Sequence, residues 1–206
     1  MKRKICITLD YELYLGVETG SVQNTIIKPM DKLSDIFDKY NVVATLFVDA
    51  SYLLALRKNM DTYEALAEDY KMIVSQLKKL QAKKYSIQLH IHPQWIYSTF
   101  DGKRWNMDFE HYKLSDLENH IAWEHFSEAK ELLESIMDKK IIAFRAGGFS
   151  LQSFEGYSDL LVKNNIKIDS SVAPGKVSKS KYQWYDYKNI PLHKYKFSED
   201  IKQISD

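Results

Sequence analysis

The 206-residue sequence predicts an α/β protein built around a parallel sheet, and two observations lead to this expectation. Short apolar runs rich in β-branched residues alternate with longer segments whose apolar residues recur at helical spacing. Several short runs also end on ionisable residues, which is where parallel α/β proteins place their active sites. Strands that alternate with helices form right-handed crossover units. The pattern does not decide between an open sheet and a barrel.

Each element is predicted from its own local signal. The strands are expected at residues 5–9, 42–48, 86–92, 141–144 and 166–169, with 189–194 as a sixth. The helices are expected at residues 30–40, 62–83, 115–136 and around 160–165. Pro29 suits the start of the first helix. The third helix is expected to begin at a capping box formed by Ser115 and Glu118.

The composition is that of an ordinary globular protein and excludes several classes. Lys and Arg (29) nearly balance Asp and Glu (28), which leaves no electrostatic footprint for nucleic acid. We expect no membrane span and no signal peptide. The lone cysteine, Cys6, excludes an internal disulfide and is expected to be buried in the first strand. We therefore predict a single domain over residues 1–206, in the cytoplasm, whose oligomeric state the sequence leaves open.

Polar side chains end four of the predicted strands, and two of these endings suit a metal ion. His90 and His92 share one side of a strand because side chains alternate along it. Asp10 and Glu12 share a side in the same way. Two imidazoles and a carboxylate are typical zinc ligands, and Co²⁺ or Ni²⁺ could occupy the same site. A lone His-x-His pair on a protein surface more often has no role in metal binding. Here, however, the pair ends an apolar strand directly before Pro93.

Five segments together resemble the polysaccharide deacetylases of the NodB-homology type (carbohydrate esterase family four). They are Thr8-Leu9-Asp10-Tyr11-Glu12, Ala44-Thr45-Leu46-Phe47, Leu89-His90-Ile91-His92-Pro93, Phe144-Arg145-Ala146-Gly147-Gly148 and Asp169-Ser170-Ser171-Val172-Ala173-Pro174. The resemblance implies a distorted (β/α) barrel, which this chain need not complete at its C-terminal end. It also implies a metal-dependent hydrolase that removes N-acetyl groups from amino sugars.

The resemblance also implies roles for individual residues. Asp10 matches the aspartate that acts as general base, Arg145 the arginine that orients it, and Asp169 an aspartate of the supporting network. His193, in a Leu-His pair, matches the general acid, although the pair could instead belong to an ordinary strand segment, Ile190 to Lys194. Where the family has a second aspartate this chain has Tyr11, so Glu12 is the expected metal carboxylate, with Asp10 as the alternative.

The histidine spacing departs from the family as well. The usual second histidine would fall at position 94, which is Gln94, so His92 is the expected replacement and Gln94 could still contribute. The expected substrate is a carbohydrate with N-acetyl groups, either a polysaccharide or its precursor. Trp95, Tyr97, Trp105 and Tyr112 could form a wall that stacks on sugar rings, or they could simply pack their loop.

Two other functions stay open at this point. One is a related metal-dependent amidohydrolase that acts on another non-peptide C–N bond, because one fold supports several chemistries. The other is a non-catalytic relic that binds a saccharide or a metal. Two departures from the family favour this last alternative. Tyr11 stands in place of the second aspartate, and His193 is an uncertain match to the general acid.

Overall fold

The computed structural model describes residues 5–151, 156–199, 201–202 and 204–205. The strands are β1 (Thr8–Tyr11), β2 (Thr45–Asp49), β3 (Ser86–Ile91), β4 (Thr99–Phe100), β5 (Trp105–Asn106), β6 (Ala143–Ala146), β7 (Ile168–Asp169), β8 (Val177–Lys179), β9 (Trp184–Asp186), β10 (Lys196–Phe197) and β11 (Ile204–Ser205). The helices are α1 (Lys28–Lys39), α2 (Ala50–Asn59), α3 (Glu64–Ala82), α4 (Asn119–Met137) and α5 (Tyr157–Lys163). A π-helical turn, Val22–Ile27, leads into α1.

Five of the strands form one parallel sheet, in the order β1-β2-β3-β6-β7. The other strands form three small antiparallel pairs, β4 with β5, β8 with β9 and β10 with β11. Neighbours in the large sheet follow chain order, and helices α1 to α5 lie in the crossovers between them. The α/β class predicted from the sequence is therefore confirmed.

The parallel sheet is strongly curved, and Arg145 reveals this. Arg145 lies on β6, yet its guanidinium donates to Asp10 and Thr8 on β1, which is three strands away in hydrogen-bonding order. Three strand spacings span about 14 Å in a flat sheet, beyond the reach of an arginine side chain. The sheet therefore coils around a concave face. Among the described residues its outer strands, β1 and β7, do not pair, so it stays open where a barrel was expected.

The convex face of the sheet carries the hydrophobic core. Leu46, Leu89 and Phe144 alternate with the residues of the concave face and are completely buried. Phe126 of α4 packs edge-on against Phe144, with ring centroids 4.9 Å apart. The concave face is polar, so the two faces of each strand are chemically distinct. No helix in the described part of the chain is long and apolar enough to cross a membrane.

Several local predictions are wrong. The first strand begins at Thr8 rather than residue 5, and Cys6 lies exposed before it. The described residues 189–194 form no strand; they follow the β8–β9 hairpin as a bend. Helix α4 begins at Asn119, because a short 3₁₀ turn at Leu114–Asp116 takes up the predicted capping segment. Helix α2 was not predicted at all.

Candidate metal centre

The register of the sheet brings the strand ends together at one edge. Asp49 of β2 lies opposite His90 of β3, and His90 lies opposite Arg145 of β6. Glu12 directly follows β1, and His92 directly follows β3. Because parallel strands all point the same way, these residues meet at the carboxyl edge of the sheet.

Three side chains converge at this edge. Glu12 Oε2 lies 3.0 Å from His90 Nε2 and 2.8 Å from His92 Nε2, and the two Nε2 atoms are 3.1 Å apart. The imidazoles are almost fully buried, whereas the Glu12 side chain keeps 28% of its surface exposed. Among the described residues this is the one group of acidic, histidine or cysteine side chains close enough to hold a metal ion.

Hydrogen bonds to the far side of each ring fix how the imidazoles face the group. His90 Nδ1 lies 2.7 Å from the carbonyl oxygen of Arg145, an atom that can only accept, so Nδ1 carries the proton. His92 Nδ1 lies 3.3 Å from Oε1 of Gln94, which accepts in the same way. Both Nε2 atoms of the neutral rings therefore present lone pairs toward Glu12.

This donor set fits a divalent metal ion. A tetrahedral zinc ion with bonds of about 2.05 Å holds its ligand atoms about 3.3 Å apart. The three separations here, 2.8 to 3.1 Å, approach that spacing. Two lone pairs and a carboxylate that face one another repel unless a cation lies between them. Two nitrogens and one oxygen suit zinc, with Co²⁺ and Ni²⁺ as chemically acceptable substitutes.

The protonation equilibria of the ligands reflect this closeness. Burial acts to raise the pKa of Glu12. When both rings are protonated and no cation lies between the groups, hydrogen bonds from His90 and His92 outweigh burial and hold the pKa of Glu12 well below the usual range. Burial acts to lower the pKa of His90, and the Glu12 carboxylate outweighs it and raises that pKa. Each group therefore favours the charged form of its neighbour, as a cation at the same point would favour the carboxylate.

Gly147 makes room for one of the ligands. A Cβ atom added at Gly147 would lie 2.5 Å from both Cε1 and Nδ1 of His92 and 2.9 Å from its Nε2. No side chain fits there unless the ring moves. Position 147 of the Arg145-Ala146-Gly147-Gly148 segment therefore requires glycine for a steric reason, because the His92 ring packs directly on the backbone there.

Asp49 supports the same ligand and was missed by the sequence analysis. Its carboxylate accepts a hydrogen bond from the backbone N–H of His92 at 3.3 Å and another from Trp95 Nε1 at 2.8 Å. Asp49 is 2% exposed, and burial raises its pKa. The available signal was its position, because it ends the second strand just as His90 nears the end of the third.

Asp10 lies apart from the three ligand atoms and is held by Arg145. Arg145 Nη1 donates to Asp10 Oδ1 at 2.5 Å, and Nη2 donates to Thr8 Oγ1 and Ser170 Oγ, both at 2.8 Å. The guanidinium also lies over the ring of Phe47, with Cζ 4.1 Å from its centroid. Of the two carboxylates that the sequence left open as metal ligands, Glu12 faces the imidazoles and Asp10 faces the arginine.

Asp169 lies behind this pair and holds the backbone. Its Oδ1 accepts from the N–H of Ser171 at 2.9 Å and from the Ser171 hydroxyl at 2.5 Å. The same hydroxyl accepts the N–H of Ala146 at 2.8 Å, which ties the end of β6 to the segment after β7. Burial raises the pKa of Asp169 to about 6, although the Ser171 hydrogen bonds favour its charged form.

The structure does not bring His193 to this site. His193 lies exposed in a bend, and among the described residues no hydrogen bond or ion pair joins it to Asp10, Glu12 or either buried histidine. Trp95 and Trp105 are also absent from any sugar-stacking wall, because they are 2% and 5% exposed and pack together with centroids 5.1 Å apart.

Two other members of the aromatic loop are partly exposed. Tyr97 is 44% exposed, and Tyr112 is half-buried beside Gly148. A Cβ added at Gly148 would lie 2.5 Å from the Tyr112 hydroxyl oxygen, and Gln183 Nε2 donates to that oxygen at 3.2 Å. Burial raises the pKa of Tyr112, and the nearby charge of Glu12 adds to this.

A cleft gives solvent access to the carboxylates. Its volume is about 530 Å³, and both Asp10 and Glu12 line it. Its remaining lining residues come from the segment after β1, namely Leu13, Tyr14, Leu15, Gly16 and Thr25. The buried imidazoles thus lie behind Glu12, and the carboxylates face the space where a small molecule can enter.

Comparison with known proteins finds similarity only among solved structures. No family model and no curated protein matches the chain. Similar structures include a putative polysaccharide deacetylase from Mycobacterium smegmatis, with 14% identity over 81% of this chain and 50% of that one, at a TM-score of 0.48. They also include the polysaccharide deacetylase Bc1974 from Bacillus cereus, with 14% identity over 81% of this chain and 60% of that one, at a TM-score of 0.46.

A third similar structure is BA3943, described as a CE4 family pseudoenzyme from Bacillus anthracis. Its identity is 9% over 80% of this chain and 41% of that one, and the TM-score is 0.43. This chain spans less than two thirds of each of the three proteins.

Proposed function

We propose that this chain is a metal-dependent hydrolase that removes N-acetyl groups from an amino-sugar substrate, either a polysaccharide or its precursor. The observation that carries the proposal is a single juxtaposition. Three ligand atoms from Glu12, His90 and His92 converge within 3.1 Å of one another, and the arginine-held carboxylate of Asp10 lines the same cleft as Glu12.

In this proposal Glu12, His90 and His92 hold the metal, with zinc as the expected ion. A divalent cation there supplies a Lewis acid that activates water and polarises a carbonyl oxygen. The substrate class comes from the five sequence segments that resemble the NodB-type deacetylases, and the contacts of the site supply the chemistry. Amide hydrolysis needs a base, and the residues of the cleft provide one.

Asp10 is the proposed base. Its Oδ1 is bonded to Arg145, and the 36% exposed side chain faces the cleft. Arg145 is itself fixed by Thr8, Ser170 and the ring of Phe47, so Asp10 has one defined position. A carboxylate held in this way can take a proton from water as the water attacks the acetyl carbonyl.

The test is acetate release by the metal-loaded protein. Zn²⁺, Co²⁺ or Ni²⁺ is added to the metal-free chain, which is then given N-acetylglucosamine oligosaccharides and, separately, cyclic amides. Asp10→Asn should keep the metal and lose about 10²–10⁴-fold in rate, because only the base is removed. Glu12→Gln should lose both metal and activity, and the exposed Glu18→Gln serves as the matched control.

Two outcomes would overturn the proposal. One is a metal-loaded protein that releases no acetate from any N-acetylated sugar. The other is Asp10→Asn activity equal to wild type. Turnover of the cyclic amides alone would instead support the related C–N hydrolase.

A further inference from the structure

Amide hydrolysis must deliver a proton to the departing nitrogen, and the sequence candidate for this step lies elsewhere. Within the described part of the chain, His193 is exposed in a bend and makes no hydrogen bond or ion pair with the residues of the centre. The metal ligands have no proton to give, because both Nε2 atoms and the Glu12 carboxylate face the metal position. A different side chain must therefore supply the proton, and its assignment rests on the proposed function.

Two consecutive glycines connect the metal centre to a phenol. The backbone at Gly147 packs against the His92 ring, and the backbone at Gly148 packs against the Tyr112 hydroxyl. Gly148 has a backbone φ of +57°, a conformation that residues other than glycine rarely adopt. The Tyr112 hydroxyl and a metal ligand thus lie against neighbouring residues of a single turn, Gly147–Phe149.

The hydrogen bond at Tyr112 leaves its proton available. Gln183 Nε2 donates to the phenol oxygen at 3.2 Å, so the oxygen is held as an acceptor. Among the described residues the Tyr112 O–H donates to no other group. A hydroxyl that is fixed through its lone pair can direct its hydrogen to a substrate.

The segment that carries Gln183 is itself anchored to the same turn. Gln183 lies where the β8–β9 hairpin reverses, and its N–H and carbonyl both bond to Ser180. The Tyr187 hydroxyl, just after β9, donates to the carbonyl of Phe149 at 2.5 Å. The hairpin therefore positions Gln183 relative to Gly148, and through Gln183 it positions Tyr112.

We infer that the Tyr112 hydroxyl donates the proton that the leaving amine requires. Water supplies its hydroxide to the acetyl carbon, and Asp10 takes the remaining proton. The C–N bond then breaks, its electron pair goes to nitrogen, and nitrogen takes the proton from Tyr112. The resulting phenolate recovers a proton from the protonated Asp10 by way of solvent, which restores both groups and leaves acetic acid and the amine.

The Tyr112 phenol carries its proton at neutral pH. Burial and the charge of Glu12 keep the phenol protonated near neutral pH. A general acid must hold its proton until the leaving group needs it.

The test compares two substrates that differ in their leaving groups. Tyr112→Phe removes only the hydroxyl, and its turnover of an N-acetylglucosamine oligosaccharide should fall about 10²–10³-fold with little change in KM. Its hydrolysis of 4-nitrophenyl acetate should stay at the wild-type rate, because 4-nitrophenolate leaves without a proton. Tyr182→Phe, which alters an exposed ring 6.2 Å from that of Tyr112, should match wild type on both substrates.

A second variant tests the same inference without touching the phenol. Gln183→Leu removes the bond that directs Tyr112 and should cause a smaller loss, again on the amide alone. Metal content and thermal melting of each variant identify any that fails to fold.

The inference is overturned if Tyr112→Phe keeps its amide activity, or if it loses ester and amide activity equally. It is also overturned if Gln183→Leu, with Tyr112 intact, loses no amide activity. A wild-type protein that binds metal but releases no acetate overturns the proposed function as well. An active wild type with unaffected variants overturns only the role of Tyr112.

Discussion

The candidate metal centre has two sides, and they are held in place by different forces. The strand side comprises Glu12, Asp49, His90, His92 and Gly147, which lie on parallel strands or directly after them. Backbone pairing between strands fixes their spacing, the Arg145 carbonyl fixes the His90 ring, and Asp49 holds the backbone N–H of His92.

The loop side comprises Tyr112, Gly148 and Gln183. Tyr112 and Gln183 are 71 residues apart and meet through one side-chain hydrogen bond. Glycine conformation and that bond, rather than a strand ladder, hold this side. The difference teaches that metal binding and proton delivery depend on separate structural supports. Changes on the strand side should remove the metal, and changes on the loop side should leave it bound.

The neighbouring glycines give the largest expected contrast. Gly147→Ala forces the His92 ring to move. Loss of one outer hydrogen bond to a ligand costs about 10–100-fold in metal affinity, so displacement of the ligand itself should weaken zinc binding about 100-fold or more. Gly148→Ala strains the backbone and displaces Tyr112, and it should leave zinc affinity close to wild type. Chelator competition measures both affinities.

Gly16→Ala is the control for this pair, because no atom of the described residues other than its chain neighbours lies within 4 Å of the added Cβ. Gly16 also lines the cleft, so its substitution tests whether any alanine there disturbs the site. Equal loss of zinc affinity in Gly147→Ala and Gly148→Ala would show that the two sides share one support, contrary to our interpretation.

The second contrast lies within the strand side. It is between Asp49, which holds a metal ligand in place, and the metal ligands themselves. Asp49→Asn can accept only one of the two N–H groups, because its amide nitrogen is a donor. The His92 backbone or the Trp95 ring then loses its partner, and zinc affinity should fall about 10–100-fold, the usual cost of losing an outer hydrogen bond to a metal ligand. Calorimetric titration with zinc measures this.

Asp61→Asn, an exposed carboxylate change, is the control and should bind zinc like wild type. Wild-type affinity in Asp49→Asn would mean that the turn after His90 is held by packing of Trp95 alone. The Co²⁺ visible spectrum offers a second readout, since it reports ligand geometry independently of catalysis.

The same difference explains what the sequence could predict. Alternation along β3 placed His90 and His92 on one side, and Glu12 was recognisable as a carboxylate at the next available strand end. Strand periodicity is a local signal, so these residues are visible without the fold. Asp49 directly follows the predicted second strand, but α2 begins at the next residue with no turn residue between them, and only the register of β2 against β3 shows that Asp49 lies opposite His90.

The loop side could not be predicted, because its spacing has no period. Tyr112 was recognised only as one of four aromatic residues, two of which proved to be core. Gln183 has no sequence signal at all, since its meaning comes from the hairpin that places it beside Gly148. The curvature of the sheet could not be predicted from the sequence either, because only the contact between Arg145 and Asp10 reveals it.

The smallest expected effect concerns stability behind the strand side. Helix α4 packs on β3, and its His125 Nε2 lies 2.8 Å from the hydroxyl of Ser51, two residues after Asp49. His125 is 8% exposed, and burial lowers its pKa from 6.5 to about 4. The unfolded chain therefore binds a proton more readily than the fold does, so stability falls as pH drops from about 6.5 toward 4.

Between pH 7.5 and pH 6 this linkage costs about 0.8 kcal/mol of unfolding free energy, and the cost grows at lower pH. Urea titrations across that range measure it. His125→Gln keeps a polar partner for Ser51 but has no proton to gain, so this part of the pH slope should disappear. His120→Gln, on the exposed face of the same helix, should keep the wild-type slope. A wild-type slope in His125→Gln would instead assign the acid sensitivity to other groups, and the packing of α4 behind β3 would then be insensitive to protonation of His125.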